Sequence, residues 1–145
     1  MSDDNLFLED QHPTSRRFAI FEDDGTSAWL YITKPDMQTP VADVWVYNRI
    51  PAPPTEEVPL YRGGPPPAPV GYARDTAFCR CPTAYEWSFI WSRDGESVAI
   101  TKDGVAVACI VAAQKPGHGR ELMKNGPWGN TWSEELFLSV FSYVA

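Results

Sequence analysis

The sequence has few basic residues and almost no clustering of them. It holds 12 Lys and Arg against 19 Asp and Glu, for a net charge of −7, and its single adjacent basic pair is Arg16 and Arg17. Nucleic acids and anionic membrane surfaces need clustered basic side chains. The composition therefore argues against both as partners. An acidic balance is ordinary and keeps a protein soluble, and it can also favour a basic protein partner.

Long apolar runs and a secretion signal are also missing. No apolar stretch approaches the roughly 18 residues that a membrane-spanning helix needs. Acidic residues stand near the first methionine, where a signal peptide carries positive charge. Three cysteines, an odd number, do not make a disulfide framework. We expect a cytoplasmic protein with reduced thiols and no membrane association.

The two histidines and three cysteines form no recognisable catalytic or metal motif. Cys79 and Cys81 are spaced Cys-X-Cys, without the second spaced pair that closes a zinc site. His12 and His118 lie far apart, and neither sits in a nucleotide or nucleophile motif. We expect no metal and no cofactor, and an enzyme is less favoured than a binding protein. Nearby arginines would favour a reactive thiolate at Cys79 or Cys81.

The clearest structural signal is the stretch 85–112, which two Asp-Gly pairs divide into apolar strands. Asp94 with Gly95, and Asp103 with Gly104, suit two-residue type I′ turns, because both central positions need positive φ. These turns predict a three-stranded antiparallel meander. The predicted register pairs Trp91 with Val98, Phe89 with Ile100, Ile100 with Val107, and Val98 with Cys109. Cys109 is then a small apolar side chain on the bulky face of the sheet.

Two further strand regions precede the meander. A third pair, Asp24 and Gly25, predicts a hairpin over 16–33 with Ile20 opposite Trp29. Residues 1–15 are predicted to be a polar lead-in, and 16–145 a single domain.

Residues 41–50 alternate as a strand and place Trp45, Tyr47 and Arg49 on one face. These residue types are enriched at recognition hot spots, so this face is a candidate binding surface. The alternative is that it packs under a loop or helix, with the arginine reaching towards solvent.

Residues 51–69 hold eight of the 14 prolines. Because proline removes backbone donors and fixes φ, we expect an extended strap, partly polyproline II, across an edge or face of the sheet. A long loop of this kind is often functional, and Arg62 within it joins the candidate binding residues.

The C-terminal third combines a glycine-rich loop with an ambiguous last element. In the loop 115–130, Lys115, His118 and Arg120 could bind an anion through their charges and the backbone amides. Residues 133–144 have helical apolar spacing and a capping signal, and they are also β-branched enough for a strand. We predict a helix.

These expectations combine into a mainly β domain, with α+β as a variant. Five or six antiparallel strands form a meander sheet or open barrel, with a C-terminal helix and a proline-rich strap. The favoured function is a non-enzymatic cytoplasmic protein that binds a partner protein, with an immunity-type inhibitor as one example. The alternatives are a small enzyme or ligand-binding domain using the loop 115–130, and a structural domain that self-associates.

Overall fold

A computed structural model describes residues 5–60, 65–77 and 84–141, and this part of the chain is mainly β. The strands are β1 (Leu6–Gln11), β2 (Phe18–Asp23), β3 (Ser27–Thr33), β4 (Pro40–Asn48), β5 (Trp87–Trp91), β6 (Val98–Lys102), β7 (Val105–Ile110), β8 (His118–Gly119) and β9 (Asn130–Thr131). Helix α1 spans Glu134–Phe141, and 3-10 helices span Thr55–Leu60, Asp75–Ala77 and Ala84–Glu86. The predicted mainly β class and C-terminal helix are confirmed.

The strands form two sheets in which spatial order follows chain order. One sheet has the order β1-β2-β3-β4 and the other β5-β6-β7-β8-β9. All neighbouring strands are antiparallel except β8 and β9. One sheet or open barrel of five or six strands was expected. The count is higher because the predicted lead-in supplies β1 and the glycine-rich loop supplies β8 and β9.

The two sheets pack against each other through one apolar core. Its fully buried members include residues from both sheets: Phe21, Leu30, Ile32 and Val44 from the first, and Val98, Ile100 and Ile110 from the second. Burial of such side chains stabilises a fold by about 25 cal/mol per Å² of apolar surface removed from water. This shared core fixes which face of each sheet is left for other contacts.

The predicted meander is present, with one error of register. Strands β5 and β6 pair as predicted, for example Phe89 with Ile100. Between β6 and β7 a bulge at Val107 leaves Ile100 opposite Ala108 and Thr101 opposite Ala106. A bulge inserts one residue into one strand, and sequence periodicity does not reveal it.

The bulge moves Cys109 to the other side of the sheet. The predicted pairs Ile100 with Val107 and Val98 with Cys109 are therefore wrong, and Val98 pairs with Ile110. Cys109 instead packs beneath α1 against Ala99 and Phe141. It remains a buried small side chain, as expected for its type.

The backbone conformations of the turns explain which of the predicted hairpin registers are observed. Both Asp103 and Gly104 have positive φ, as a type I′ turn requires, whereas in the other turn only Gly95 does. In the first hairpin the turn lies one residue later than predicted, because the Asp24 amide donates to Ser27 O and leaves Gly25 and Thr26 between the two.

Displacement of the turn by one residue changes the register of the first hairpin by two residues. Ile20 lies opposite Tyr31, and the predicted partner Trp29 lies opposite Glu22. Since side chains alternate with period 2, a shift of two leaves every side chain on its predicted face.

The N-terminal segment forms strand β1 over Leu6–Gln11, within the predicted polar lead-in. Leu6 and Leu8 point into the shared core while Phe7 and Glu9 point away from it. His12, which follows, is buried, and its Nδ1 accepts hydrogen bonds from the amides of Thr14 and Ser15 at 3.1 and 3.2 Å. Period-2 alternation is the physical reason that this segment joins the sheet.

The proline-rich segment packs on the first sheet through its C-terminal part. The Asn48 side chain accepts from Ala68 N at 3.1 Å and donates to Ala68 O at 2.9 Å. Ser27 Oγ donates to Pro65 O at 3.1 Å. The expectation of an extended chain fails over Thr55–Leu60, which is a 3-10 helix that contains Pro59.

Helix α1 closes the outer face of the second sheet. Ser133 caps it, because its Oγ accepts from Leu136 N at 3.1 Å, and Glu134 and Glu135 occupy the first turn. Among the helices of the described residues, none has the length and apolar character that crossing a membrane requires.

Candidate functional site

The predicted recognition residues Trp45 and Tyr47 do not share a face. A register irregularity in β4 pairs Tyr47 with Ala28 and Trp45 with Trp29, which skips Val46. Trp45 consequently packs under the strap at 0% exposure, and Tyr47 packs in the core between the sheets at 4%. The prediction of one exposed face is therefore wrong, because a bulge breaks the period-2 alternation.

Arg49 belongs to a buried polar cluster. Its Nη1 lies 3.1 Å from both carboxylate oxygens of Asp23, and Tyr47 Oη donates to Asp23 Oδ2 at 2.5 Å. The Arg49 side chain is 7% exposed. A paired, hydrogen-bonded charge of this kind ties the end of β2 to the chain after β4. Arg62 lies outside the described residues, and a binding role for these residues stays a prediction.

The three residues of the predicted anion loop have different surroundings. Lys115 is exposed, and the His118 ring, at Nδ1, lies 3.0 Å from Thr131 O. Arg120 donates from Nε to Ala106 O at 2.9 Å, and its guanidinium lies 4.5 Å from the ring centre of Trp132. His118 and Arg120 thus use polar atoms in contacts that hold the second sheet together.

The cysteines divide into one buried thiol and a pair outside the described residues. Cys79 and Cys81 fall in the undescribed segment. Burial raises the pKa of the Cys109 thiol to about 12, which keeps it protonated at neutral pH. Across the described ranges, no group of three or more His, Cys, Asp or Glu is arranged to hold a metal ion.

A large cleft of about 480 Å³ lies beside the strap. Its charged lining residues are Arg74 and Asp75, which oppose each other in sign, and Arg74 Nε already donates to Arg120 O at 3.1 Å. The described residues that line the cleft therefore supply neither a net charge nor a convergent set of polar groups that would define a ligand class.

Among residues 5–60, 65–77 and 84–141, the segments that cover the outer face of the first sheet lie over one half of it. Here the strap and the loop before β9 pack on Trp29 and Trp45, with Ala68 and Trp128 as main contacts. Trp128 Nε1 donates to Pro66 O at 3.3 Å, and Trp128 O accepts from Trp45 N at 2.9 Å. We call this region the covered half.

The other half of the same sheet face carries acidic and apolar side chains. We call it the acidic face, and its members are Phe7, Glu9, Ile20, Glu22, Tyr31 and Asp43. The register places Glu9, Ile20, Tyr31 and Asp43 in one row across all four strands, with Phe7 and Glu22 in the next row. A depression of about 390 Å³ lies over Phe7, Ile20 and Tyr31. Acidic side chains thus flank an apolar floor.

The electrostatics of this face are negative. Burial, followed by the charges of Glu22, Asp43 and Asp24, raises the pKa of the Tyr31 phenol. Burial also raises the pKa of Asp43, against the opposing charge of Lys115. A cation bound at this face would lower the pKa of both groups, which is the opposite of the shifts described.

The most exposed apolar side chain of the face is Phe7, at 57%. Glu9 beside it is exposed and accepts a hydrogen bond from the Gln38 side-chain amide. An aromatic ring next to carboxylates is an arrangement that can bury apolar surface and pair with basic groups of a second protein.

The acidic face is not among the sequence-predicted sites. Phe7 and Glu9 fall within the predicted lead-in over 1–15. The alternation of Leu6 and Leu8 with Phe7 and Glu9 is a strand signal that could have revealed it. The pairing of that strand with β2 could not be read from the sequence.

Comparison with known proteins gives no family for this chain: no family model matches it, and no curated protein or solved structure is significantly similar.

Proposed function

We propose that this chain is a non-enzymatic binding protein whose acidic face docks a basic partner protein. The observation that carries the proposal is Phe7, which is 57% exposed and lies on one open sheet face with Glu9 and Glu22. Exposed apolar groups rimmed by charge are typical of interaction surfaces. The overall charge of −7 has the same sign as the face and favours encounter with a cationic protein.

The partner contact divides into two physical contributions. Phe7 supplies apolar area at the edge of the depression, and a central aromatic anchor commonly contributes more than about 1 kcal/mol to binding. Glu9, Glu22 and Asp43 supply charge, which mainly raises the association rate and selects against acidic proteins. An immunity-type inhibitor that neutralises a basic toxin in the cytoplasm is a function of this character.

The test begins with photo-cross-linking in cells of the source organism. A photoreactive phenylalanine replaces Phe7 in one protein and Tyr85 in the control, since Tyr85 is aromatic and 90% exposed but lies outside the acidic face. We expect a basic protein to cross-link through position 7 and not through position 85. Exclusive capture of acidic proteins, or equal capture at both positions, would contradict the proposal.

The cross-linked protein is then purified and its affinity is measured by calorimetry at two salt concentrations. We expect Phe7→Ala and Glu22→Lys each to weaken binding at least tenfold, and the wild-type affinity to fall as salt rises. Glu135→Lys, an exposed charge reversal on α1, is the matched control and should leave affinity unchanged. Equal losses for Glu22→Lys and Glu135→Lys would show that net charge, rather than this face, determines binding.

A further inference from the structure

Strand β1 lies at the edge of the first sheet, and one hydrogen bond fixes which of its backbone groups face outward. His12 N donates to Arg17 O at 3.0 Å, and this pair continues the register of β1 with β2. In an antiparallel pair, bonded and non-bonded residue pairs alternate. Leu6, Leu8 and Asp10 therefore bond towards β2, and the N–H and C=O groups of Phe7, Glu9 and Gln11 point away from the sheet.

The hydrogen bonds between β2 and β3 agree with this assignment of inward and outward residues in β1. Asp24 N donates to Ser27 O, which makes Ile20 and Glu22 the residues that bond to β3. The alternate residues of β2, such as Phe21, are then left to bond to β1, opposite Leu8. Within residues 5–60, 65–77 and 84–141, no backbone group of another element bonds to the outward edge of β1.

The outward edge joins the acidic face directly. Side chains alternate along a strand with the same period as backbone bonding. The residues whose N–H and C=O groups point away from β2 are Phe7, Glu9 and Gln11, and their side chains all project from the outer face of the sheet. A strand added beside β1 would place alternate side chains next to Phe7 and Glu9. Unpaired edges of this kind are templates for an added strand unless something covers them.

We propose that the basic partner binds by adding an extended segment to β1 as a further strand of the first sheet. This inference rests on the proposed function and specifies how the partner is held. Backbone bonds to Phe7, Glu9 and Gln11 supply affinity, and alternate side chains supply specificity. The partner residue opposite Glu9 is lysine or arginine, and the one opposite Phe7 is apolar, because such cross-strand pairs are favourable.

A second copy of this chain fits the edge poorly. The antiparallel register that overlaps all three outward residues, with Phe7 opposite Gln11, places Glu9 opposite Glu9 of the second copy. Like charges directly opposite each other destabilise strand pairing. The same carboxylate that repels a second copy attracts a basic strand, so charge selects the occupant of the edge.

The test measures amide hydrogen exchange by NMR in the full chain, with a defined peptide as probe. The probe is acetyl-Lys-Thr-Lys-Thr-Val-Thr-Lys-amide, in which the third residue, lysine, can face Glu9 while the fifth residue, valine, faces Phe7. The control peptide has glutamate in place of each lysine. In the free protein, the amides of Leu6, Leu8 and Asp10 should exchange slowly. At about 90% saturation with the basic peptide, exchange at Phe7, Glu9 and Gln11 should slow about tenfold. The acidic peptide should change nothing.

A pair of variants at one position separates backbone from side-chain binding. Glu9→Gln removes the charge and keeps the outward N–H, and we expect a loss of a few-fold in peptide affinity. Glu9→Pro also removes the N–H, which no neighbouring strand uses, and we expect a loss of at least tenfold beyond Glu9→Gln. Slow exchange at Leu8 in both variants would show that the sheet remains intact.

The outcomes distinguish this inference from the proposed function. Strand addition would be overturned if the amides of Phe7, Glu9 and Gln11 exchange with saturating peptide as fast as in the free protein. This holds whatever peptide affinity Glu9→Pro shows. The docking proposal stands in that case if position 7 still cross-links a basic protein. Failure of both experiments would overturn both proposals.

Discussion

The two halves of the first sheet's outer face are built from similar side chains but differ in their exposure to solvent. The covered half presents Trp29 and Trp45, and the acidic face presents Phe7 and Tyr31. The strap and Trp128 bury the first pair, whereas Phe7 stays mostly exposed. Aromatic content alone therefore does not separate core from binding surface on a strand. Acidic neighbours do not separate them either, because Glu22 lies directly opposite the buried Trp29. The difference lies in the cover that Trp128 and the described part of the strap supply.

The largest effect should come from the covered half. Trp45→Ala should lower the free energy of unfolding by about 3–5 kcal/mol, because a fully buried tryptophan leaves a cavity beneath the strap. Chemical denaturation followed by circular dichroism would measure it. A loss below about 1 kcal/mol would mean that the strap does not bury this half in solution.

The next effect concerns the attachment of the strap. Asn48→Ala should cost roughly 2–3 kcal/mol, because Ala68 N and O lose their side-chain partner and Trp45 Nε1 loses the acceptor that lies 2.9 Å away. Hydrogen exchange should rise at Ala68. Gln38→Ala, an exposed amide on the acidic side, is the control and should leave exchange at Ala68 unchanged.

A smaller effect of opposite sign should come from the acidic face. The pKa of Asp43 is raised, so the folded state disfavours its carboxylate, and the associated stability is present at low pH and lost as pH rises through the folded pKa. Asp43→Asn should therefore stabilise the protein at neutral pH, by roughly 0.5 kcal/mol after allowing for solvent screening, and not below about pH 3.

Asp94 provides the matched control for that measurement. Hydrogen bonds from Glu96 N and Ser92 Oγ lower its pKa, so its stabilising effect is present at neutral pH and lost as pH falls through the folded pKa. Asp94→Asn should destabilise at neutral pH. Denaturation from pH 3 to 7 measures the free energy of unfolding of each variant relative to wild type. This difference should rise with pH for Asp43→Asn and fall with pH for Asp94→Asn. The same pH dependence in both variants would contradict the assignment.

The smallest effect on stability should come from Phe7. Because its ring is largely exposed, Phe7→Ala should change the free energy of unfolding by less than about 0.5 kcal/mol. The same change should weaken partner binding. A stability loss near that of Trp45→Ala would place Phe7 in the core and remove the difference between the two halves.

Turn chemistry and period-2 alternation were enough to predict the β class, the meander and the first hairpin. The predictions failed where one residue was added to a strand, or where a turn lay one residue later than the Asp-Gly pair indicated. Val107 and Val46 are the added residues, and each reverses the faces of the residues beyond it. Such irregularities depend on packing between the sheets, which no local pattern encodes.

The binding surface was harder to predict than the fold. Trp45, Tyr47 and Arg49 have the residue types of a hot spot, yet their surroundings are supplied by distant segments: the strap for Trp45 and Asp23 for Arg49. The alternation within residues 6–11 indicates a strand, but the acidic face also depends on the pairing of β1 with β2, which that alternation does not specify. Long-range pairing therefore decides which aromatic residues remain accessible.

The sequential order of strands in both sheets has a consequence for biosynthesis. Strands β1 to β4 are neighbours in the chain as well as in space, so the first sheet can form from local contacts alone. Its inner face, with Phe21, Leu30 and Ile32, stays uncovered until the meander of β5 to β7 has been translated. We expect the nascent chain to need protection by chaperones during that interval, since exposed apolar sheets aggregate.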